Sequence, residues 1–337
     1  MLIVVEPLEA EAHDDPGHPE RPARIGAAMK GVDDLHLGDD LVVVAARPAP
    51  AESLVRVHTA AHLQRLEQFC ASGGGAIDQD TYARSTSWED ARLAAGSGLV
   101  AIEAAAAYRS PVFVPARPPG HHAVADRSMG FCLLNNVAVT AAALVDAGER
   151  VLIVDWDVHH GNGTQDVFWD EPSVLYVSTH QWPAFPGTGR AEEIGGPSAR
   201  GATVNVPLPV GATGDVIRRA FDTVVTPVVD AFSPTWVLVS AGFDAHRADP
   251  LADLALSAGD FAELAGIVAG YAPGPGRLIV FLEGGYDLDA LRSSVAATLG
   301  RLVGADSGGE EPTAGGPGVE QVDAAAVLRR SAIDAAD

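Results

Sequence analysis

The chain has 337 residues, 47% of them hydrophobic, with 22 basic against 45 acidic residues and a formal net charge of −23. The apolar fraction is ample for a large buried core, and a length that would suit two domains is also reached by single large α/β domains. So acidic a chain repels nucleic acid and other phosphate-rich partners; the charge favours a cationic substrate such as a polyamine or a lysine-bearing peptide, or it serves solubility alone.

The cysteines, Cys70 and Cys132, are too few for a disulfide framework and fit a reduced, cytoplasmic setting. The N-terminal MLIVVEPLEAEAHDD is apolar for five residues and then acidic, unlike a signal peptide. No charge-free apolar run reaches about 18 residues, so no membrane span is expected. A homo-oligomer is compatible with this composition.

In chain order, residues 112–115 (VFVP) read as a short strand entering a Pro/Gly loop, and residues 134–147, rich in Ala, Val and Leu, as a helix. The apolar runs 151–154 (VLIV) and 174–178 (VLYVS) read as buried strands. Helical spacing follows over 215–232 after the turn at Gly211–Gly214, and 236–240 (WVLVS) is a further strand. Ser257 opens an S-x-x-D helix start with Asp260, a capping-box pattern. Residues 278–282 (LIVFL) form a strand before Glu283-Gly284-Gly285. Such runs separated by helices predict an α/β fold with a parallel sheet covered on both faces. The pattern breaks near residue 305 at SGGEEPTAGGPG, so one domain is expected over 1–305, and 306–337 as a loosely ordered tail with a short helix at 322–332.

Candidate chemistry sits where the strands stop: His121-His122, Asp155-x-Asp157-x-His159, Asp244 and Tyr286 each follow one. In open parallel sheets, ligands bind at the carboxyl ends of the strands. Residues two apart in an extended segment face the same side, so Asp155, Asp157 and His159 share a face while Trp156 and Val158 pack on the other. Carboxylates crowded together repel unless a cation joins them. Their donors suit zinc, with Asp244 as a further ligand and a position left open for water or substrate. A salt-bridge or capping cluster is the alternative for D-x-D-x-H alone; the histidine pair and Asp244 weigh against it. His121 and His122, behind the stiff Arg117-Pro118-Pro119-Gly120 turn, can act as general base and acid near neutral pH. Tyr286, on a glycine turn, can donate to a developing oxyanion or be an ordinary turn tyrosine.

The segments Arg117-Pro118-Pro119-Gly120-His121-His122-Ala123, Gly130-Phe131-Cys132-Leu133-Leu134-Asn135-Asn136, Asp155-Trp156-Asp157-Val158-His159-His160-Gly161-Asn162-Gly163, Phe185-Pro186-Gly187-Thr188-Gly189, Ser240-Ala241-Gly242-Phe243-Asp244-Ala245-His246 and Glu283-Gly284-Gly285-Tyr286 resemble the zinc-dependent histone deacetylases. They look like the class II branch with its bacterial histone deacetylase-like amidohydrolases, within a superfamily that includes acetylpolyamine amidohydrolases. The resemblance runs from His18-Pro19-Glu20-Arg21-Pro22 to about Gly304.

This resemblance implies a three-layer arginase/deacetylase fold around a mainly parallel eight-stranded sheet. It implies hydrolysis of an N-acyl amide, in the first place acetyl-lysine, by metal-activated water, with zinc held by Asp157, His159 and Asp244. Asp155 would orient His121, and Asn162, standing where some relatives carry Asp, would leave His122 less basic. Phe131 and Phe185 would wall the acyl-lysine tunnel beside Gly130, with Leu251 near its rim and Asp80 holding the substrate backbone. Arg24 would line an internal acetate passage; without the resemblance it reads as a helix-surface arginine. A structural potassium ion would be bound by backbone oxygens of Asp155, Asp157, His159 and Thr179 and the Ser178 hydroxyl. An acylated polyamine is the alternative substrate. A binuclear manganese ureohydrolase ranks low, because His246 stands where a second Asp would be needed. A non-catalytic binding module ranks low because it has no use for Tyr286.

Overall fold

The computed structural model describes residues 1–8 and 10–334. Its strands are β1 Leu2–Val5, β2 Leu41–Val44, β3 Gly74–Ala76, β4 Tyr82–Arg84, β5 Val112–Val114, β6 Val151–Asp155, β7 Val174–Gln181, β8 Thr203–Leu208, β9 Trp236–Ala241 and β10 Leu278–Leu282. Eight of them form one sheet in the order β2-β1-β5-β10-β9-β6-β7-β8, and every neighbouring pair is parallel. β3 and β4 form a separate antiparallel hairpin.

Both faces of the sheet are covered, which is why the strands read as unbroken apolar runs rather than alternating ones. Along β6, Leu152 and Val154 join one core layer, with Ile25 and Ala28 of helix Ala23–Asp33, Phe261 of helix Ala258–Tyr271 and Leu291 of helix Leu288–Val303. Val151 and Ile153 join the other, with Ala94 and Ala101 of helix Ser87–Tyr108 and Val137 of helix Asn136–Asp146. The expected three-layer α/β architecture is the one observed. Among the described residues, no helix is long and apolar enough to cross a membrane.

Local chemistry sets the element ends. The helix expected at 134–147 starts at Asn136 because Asn135 caps it, its Oδ1 accepting from Ala138 N at 3.0 Å. Ser257 and Asp260 form the expected reciprocal cap. β7 runs on past residue 178 because its polar end pairs with β8, Ser178 opposite Asn205 and Gln181 opposite Leu208. The helical stretch after Gly214 is not uniform: a π-type turn at Phe221–Val225 interrupts it before Thr226–Phe232. Pro227 sits at that junction, and proline removes an N–H from the helix ladder.

The loose tail expected after residue 305 is corrected by the structure over 306–334. Thr313 Oγ1 donates to Asp260 at 2.7 Å and Gly315 N to Asp215 at 3.0 Å. Helix Val319–Asp334 then buries Val322, Ala325 and Ala326 in the same core layer as β8 residues. Arg329 donates to Thr203 O at 2.8 Å. Those apolar positions are too sparse to stand out against the polar flank of that segment. Residues 335–337 lie outside the described residues.

Candidate active site

The carboxyl ends of β5, β6, β9 and β10 meet at the middle of the sheet, and each delivers part of the site. The turn after β5 carries His121 and His122, whose ring centroids are 3.9 Å apart. His121 Nδ1 lies 3.0 Å from Asp155 Oδ2 at the end of β6. That carboxylate also accepts from the Tyr176 hydroxyl at 3.1 Å and from Asp157 N at 3.2 Å. His122 Nδ1 lies 2.8 Å from Asn162 Oδ1. The amide nitrogen of Asn162 lies 3.5 Å from His122 O and 3.5 Å from Met129 Sδ, contacts consistent with its oxygen facing His122 Nδ1.

Asp157, His159 and Asp244 place one ligand atom each within 4.8 Å of one another. His159 Nδ1 is 3.2 Å from Asp157 Oδ1 and 3.2 Å from Asp244 Oδ2. Both carboxylates are buried, Asp244 completely. Gly284 must be a glycine: a Cβ there would fall onto the Asp244 and Asp157 carboxylates, while its N–H donates to Asp157 Oδ2 at 2.8 Å. Burial disfavours the Asp244 carboxylate and the Asp157 charge adds to this, moving its pKa up to about 7. Burial would lower His159, but its hydrogen bonds to Asp157 and Asp244 raise it to about 10. Both shifts run toward holding a proton, so the electrostatics of this cluster favour positive charge between its carboxylates.

The histidine pair is split by its partners. Burial would lower His121, yet the Asp155 and Asp157 carboxylates outweigh it and hold the ring well above its ordinary value. His122 is lowered well below it by burial and by the neighbouring His121 and His159. Burial also pushes the Tyr286 phenol well above its ordinary value, so it stays a proton donor.

These groups line a cavity of about 200 Å³ bounded by Asp80, His121, His122, Gly130, Phe131, His159, Phe185, Leu251 and Tyr286, among others. The Phe131 ring meets Tyr286 edge-on at 5.8 Å, and Phe185 meets His122 at 5.1 Å. Gly130 has φ +56, and a Cβ there would come within 2.5 Å of the His122 ring. Phe185 and Leu251 are exposed at the mouth. Asp80 Oδ1 accepts from Thr81 Oγ1 at 2.9 Å, and Phe131 N donates to Thr81 Oγ1 at 3.1 Å. A larger cavity, about 720 Å³, lies between His62, Phe69 and Arg127. The carboxylate–imidazole cluster is instead beside the small one, and that juxtaposition outweighs size.

Arg24 is fully buried, which corrects its reading as a helix-surface arginine. Its Nε donates to Gly285 O at 2.7 Å, its guanidinium also bonds Glu283 O, and its Cζ lies 4.8 Å over the Tyr286 ring. Glu20 holds it at 3.1 Å and binds Arg117 at 2.6 Å. Ser178 lies opposite Asp155 in the β6–β7 ladder, and its hydroxyl is 2.8 Å from His180 Nδ1.

Tyr176, Glu283 and Asp249 support the site from positions to which the sequence assigns no role. Tyr176 is a strand residue with no sequence signal for its bond to Asp155. Glu283 accepts from Gly120 N at 2.7 Å and His121 N at 3.2 Å, and its position directly before Gly284 was the available clue. Asp249 accepts from Tyr286 N at 2.6 Å across a large sequence gap that no local pattern could bridge.

At the strand ends of this parallel α/β sheet, a triad that could hold a metal ion stands beside a histidine pair, an arrangement suited to metal-assisted hydrolysis. The family described as the histone deacetylase domain matches residues 18–302. The rice "Histone deacetylase 10, chloroplastic" is 38% identical over 320 residues, covering 88% of this chain and 72% of that one. The Pseudomonas aeruginosa "Histone deacetylase-like amidohydrolase" is 38% identical over 302 residues, covering 88% and 80%. The crystal structure titled "Crystal Structure of HDA15 HD domain" superposes with a TM-score of 0.87 at 34% identity, covering 98% of this chain and 99% of that one. The chain belongs to the histone deacetylase family and is a hydrolase of the deacetylase and amidohydrolase type.

Proposed function

We propose that the chain removes an acyl group, in the first place acetyl, from the side-chain amine of lysine in a peptide or protein, using a zinc ion held by Asp157, His159 and Asp244. The observation that carries this reading is that His159, the His121–His122 pair and Tyr286 line one narrow cavity, and that Asp157 and Asp244 each bring a ligand atom within 4.8 Å of that of His159 behind it. Two carboxylates and one imidazole are a zinc donor set with a position to spare. When bound, the ion polarises the amide carbonyl and makes water acidic enough to react near neutral pH.

The chain's own groups do the rest. Asn162 accepts from His122 Nδ1–H, which leaves Nε2 bare, and the depressed basicity of this ring keeps it neutral and able to take a proton from water. His121, kept charged by Asp155, holds a proton for the departing amine. Tyr286 donates its hydroxyl to the oxyanion that develops on the carbonyl oxygen. Phe131 and Phe185 flank the linear methylene chain and exclude water, Leu251 borders the mouth, and Asp80 stands where it can accept an N–H of the substrate. A potassium ion would be held beneath by backbone oxygens of Asp155, Asp157, His159 and Thr179 with the Ser178 hydroxyl, and would stiffen the β6–β7 end.

The net charge of −23 favours a second substrate class, acylated polyamines. A side-by-side assay of the zinc-loaded protein on an acetyl-lysine peptide and on acetylspermidine decides between them. Higher kcat/KM on the peptide supports the first reading; higher kcat/KM on acetylspermidine replaces it with the second.

A further inference from the structure

We infer that Asp249 is a positioning residue that fixes Tyr286 and couples it to the cavity rim. This rests on the reading of Tyr286 as the oxyanion donor. Asp249 is 7% exposed and follows the segment that starts at Asp244. Its two carboxylate oxygens are divided between two parts of the site. Oδ2 accepts from Tyr286 N at 2.6 Å and from Asp287 N at 3.3 Å. Oδ1 accepts from Leu251 N at 3.0 Å. A single buried side chain thus ties the turn that aims the phenol to the backbone of the leucine at the mouth.

Hydrogen bonds of this kind, from backbone N–H to a carboxylate, are the strong ones, and a buried N–H left without an acceptor is costly. Its ring is also held by the Arg24 guanidinium over its face and by the edge of Phe131, neither of which fixes the backbone N–H that Asp249 binds. Arg24 in turn bonds the Gly285 and Glu283 carbonyls, so it and Asp249 grip the same turn by its carbonyls and its N–H groups respectively. Asparagine at 249 offers one carbonyl oxygen in place of two acceptors. It can satisfy Leu251 or Tyr286, and its amide group then faces the other N–H donor to donor.

The test is a double-mutant cycle on an acetylated substrate, with zinc content and Tm recorded for each variant. Asp249→Asn is expected to lower kcat on the order of 10-fold while retaining zinc, since small misplacements of a catalytic group have effects of that size or larger. In the Tyr286→Phe background the same substitution is expected to change kcat less than about twofold, because the hydroxyl it positions is already gone. A full 10-fold loss in both backgrounds would mean that Asp249 acts on something other than Tyr286, and would overturn the inference. A crystal structure of Asp249→Asn gives a readout that needs no turnover: displacement of the Tyr286 ring supports the inference, and an unmoved ring overturns it. If the wild-type protein has no deacylase activity, the proposed function fails, and the position of Tyr286 in that crystal still decides the role of Asp249.

Discussion

Asn162 Oδ1 lies 2.8 Å from His122 Nδ1, whereas the matching nitrogen of His121 faces the Asp155 carboxylate at 3.0 Å. Two adjacent imidazoles thus meet a neutral partner and an anionic one. The environments separate their basicities, which is how one pair can divide acid and base roles.

Replacing that neutral partner is therefore a pH experiment. In Asn162→Asp, a carboxylate beside His122 favours the imidazolium and raises its pKa, roughly a unit or more for an opposite charge this close. His122 must be neutral to accept a proton, so the acid limb of kcat/KM should move to higher pH, with the largest loss at the acid end. A limb that stays in place when kcat/KM is profiled against pH would remove His122 as the base.

Tyr286→Phe keeps the ring and its contacts with Arg24 and Phe131 and deletes only the hydroxyl. The expected loss is on the order of 100-fold or more in kcat, with zinc content and KM nearly unchanged, because the donor acts in the transition state. Steady-state kinetics on an acetyl-lysine peptide checks this; rates equal to wild type would exclude the hydroxyl from the reaction.

Cation binding should be visible without turnover. Zinc added to metal-stripped protein at 100 times its Kd should stabilise the fold by about 2.7 kcal/mol, read as a rise in Tm. Asp244→Ala should abolish that rise and leave the protein free of zinc by elemental analysis. A variant that still binds zinc tightly would place the ion elsewhere.

Glu20 is the buried anion shared by Arg24 and Arg117. Burial alone would raise its pKa, but the Arg117 hydrogen bond and the charges of Arg117 and Arg24 bring it from 4.5 down to about 2. The stabilisation from its charge is complete above about pH 4.5 and is lost as pH falls toward about 2. Glu20→Gln should cost about 3 kcal/mol near neutral pH, since it removes the buried anion that Arg24 and Arg117 share and leaves carbonyl partners such as Gly285 O and His13 O to hold their charges. Denaturant melts should show the gap between variant and wild type narrowing below pH 4.5; a gap independent of pH would mean that the charge of Glu20 contributes nothing.

Much of this was legible in the sequence because the informative signals are local. The runs VLIV, WVLVS and LIVFL are buried on both faces, so hydrophobicity alone marks them, and the polar residues that end them mark the sheet edge. The two-residue spacing of Asp155, Asp157 and His159 points to one shared face, whereas β6 ends at Asp155, which turns to His121 and Tyr176, and it is Asp157 and His159 that meet Asp244. β8 is not legible as a strand because TVNVPL carries Asn205 and Pro207 inside a short run. Asp249 and Tyr176 carry no local signal, because their partners Tyr286 and Asp155 are brought to them only by the tertiary fold. The helix expected at 322–332 is present as Val319–Asp334, but its docking is not legible because it depends on a few small apolar residues, Val322, Ala325 and Ala326, among polar ones.

The most direct measurement is hydrolysis of an acetyl-lysine peptide by metal-stripped protein titrated with zinc. The account predicts that stripping abolishes turnover and that activity returns in proportion to added zinc until a single equivalent is bound. Full activity in the metal-free protein, or saturation with zinc and no release of acetate from any acylated amine, would contradict it.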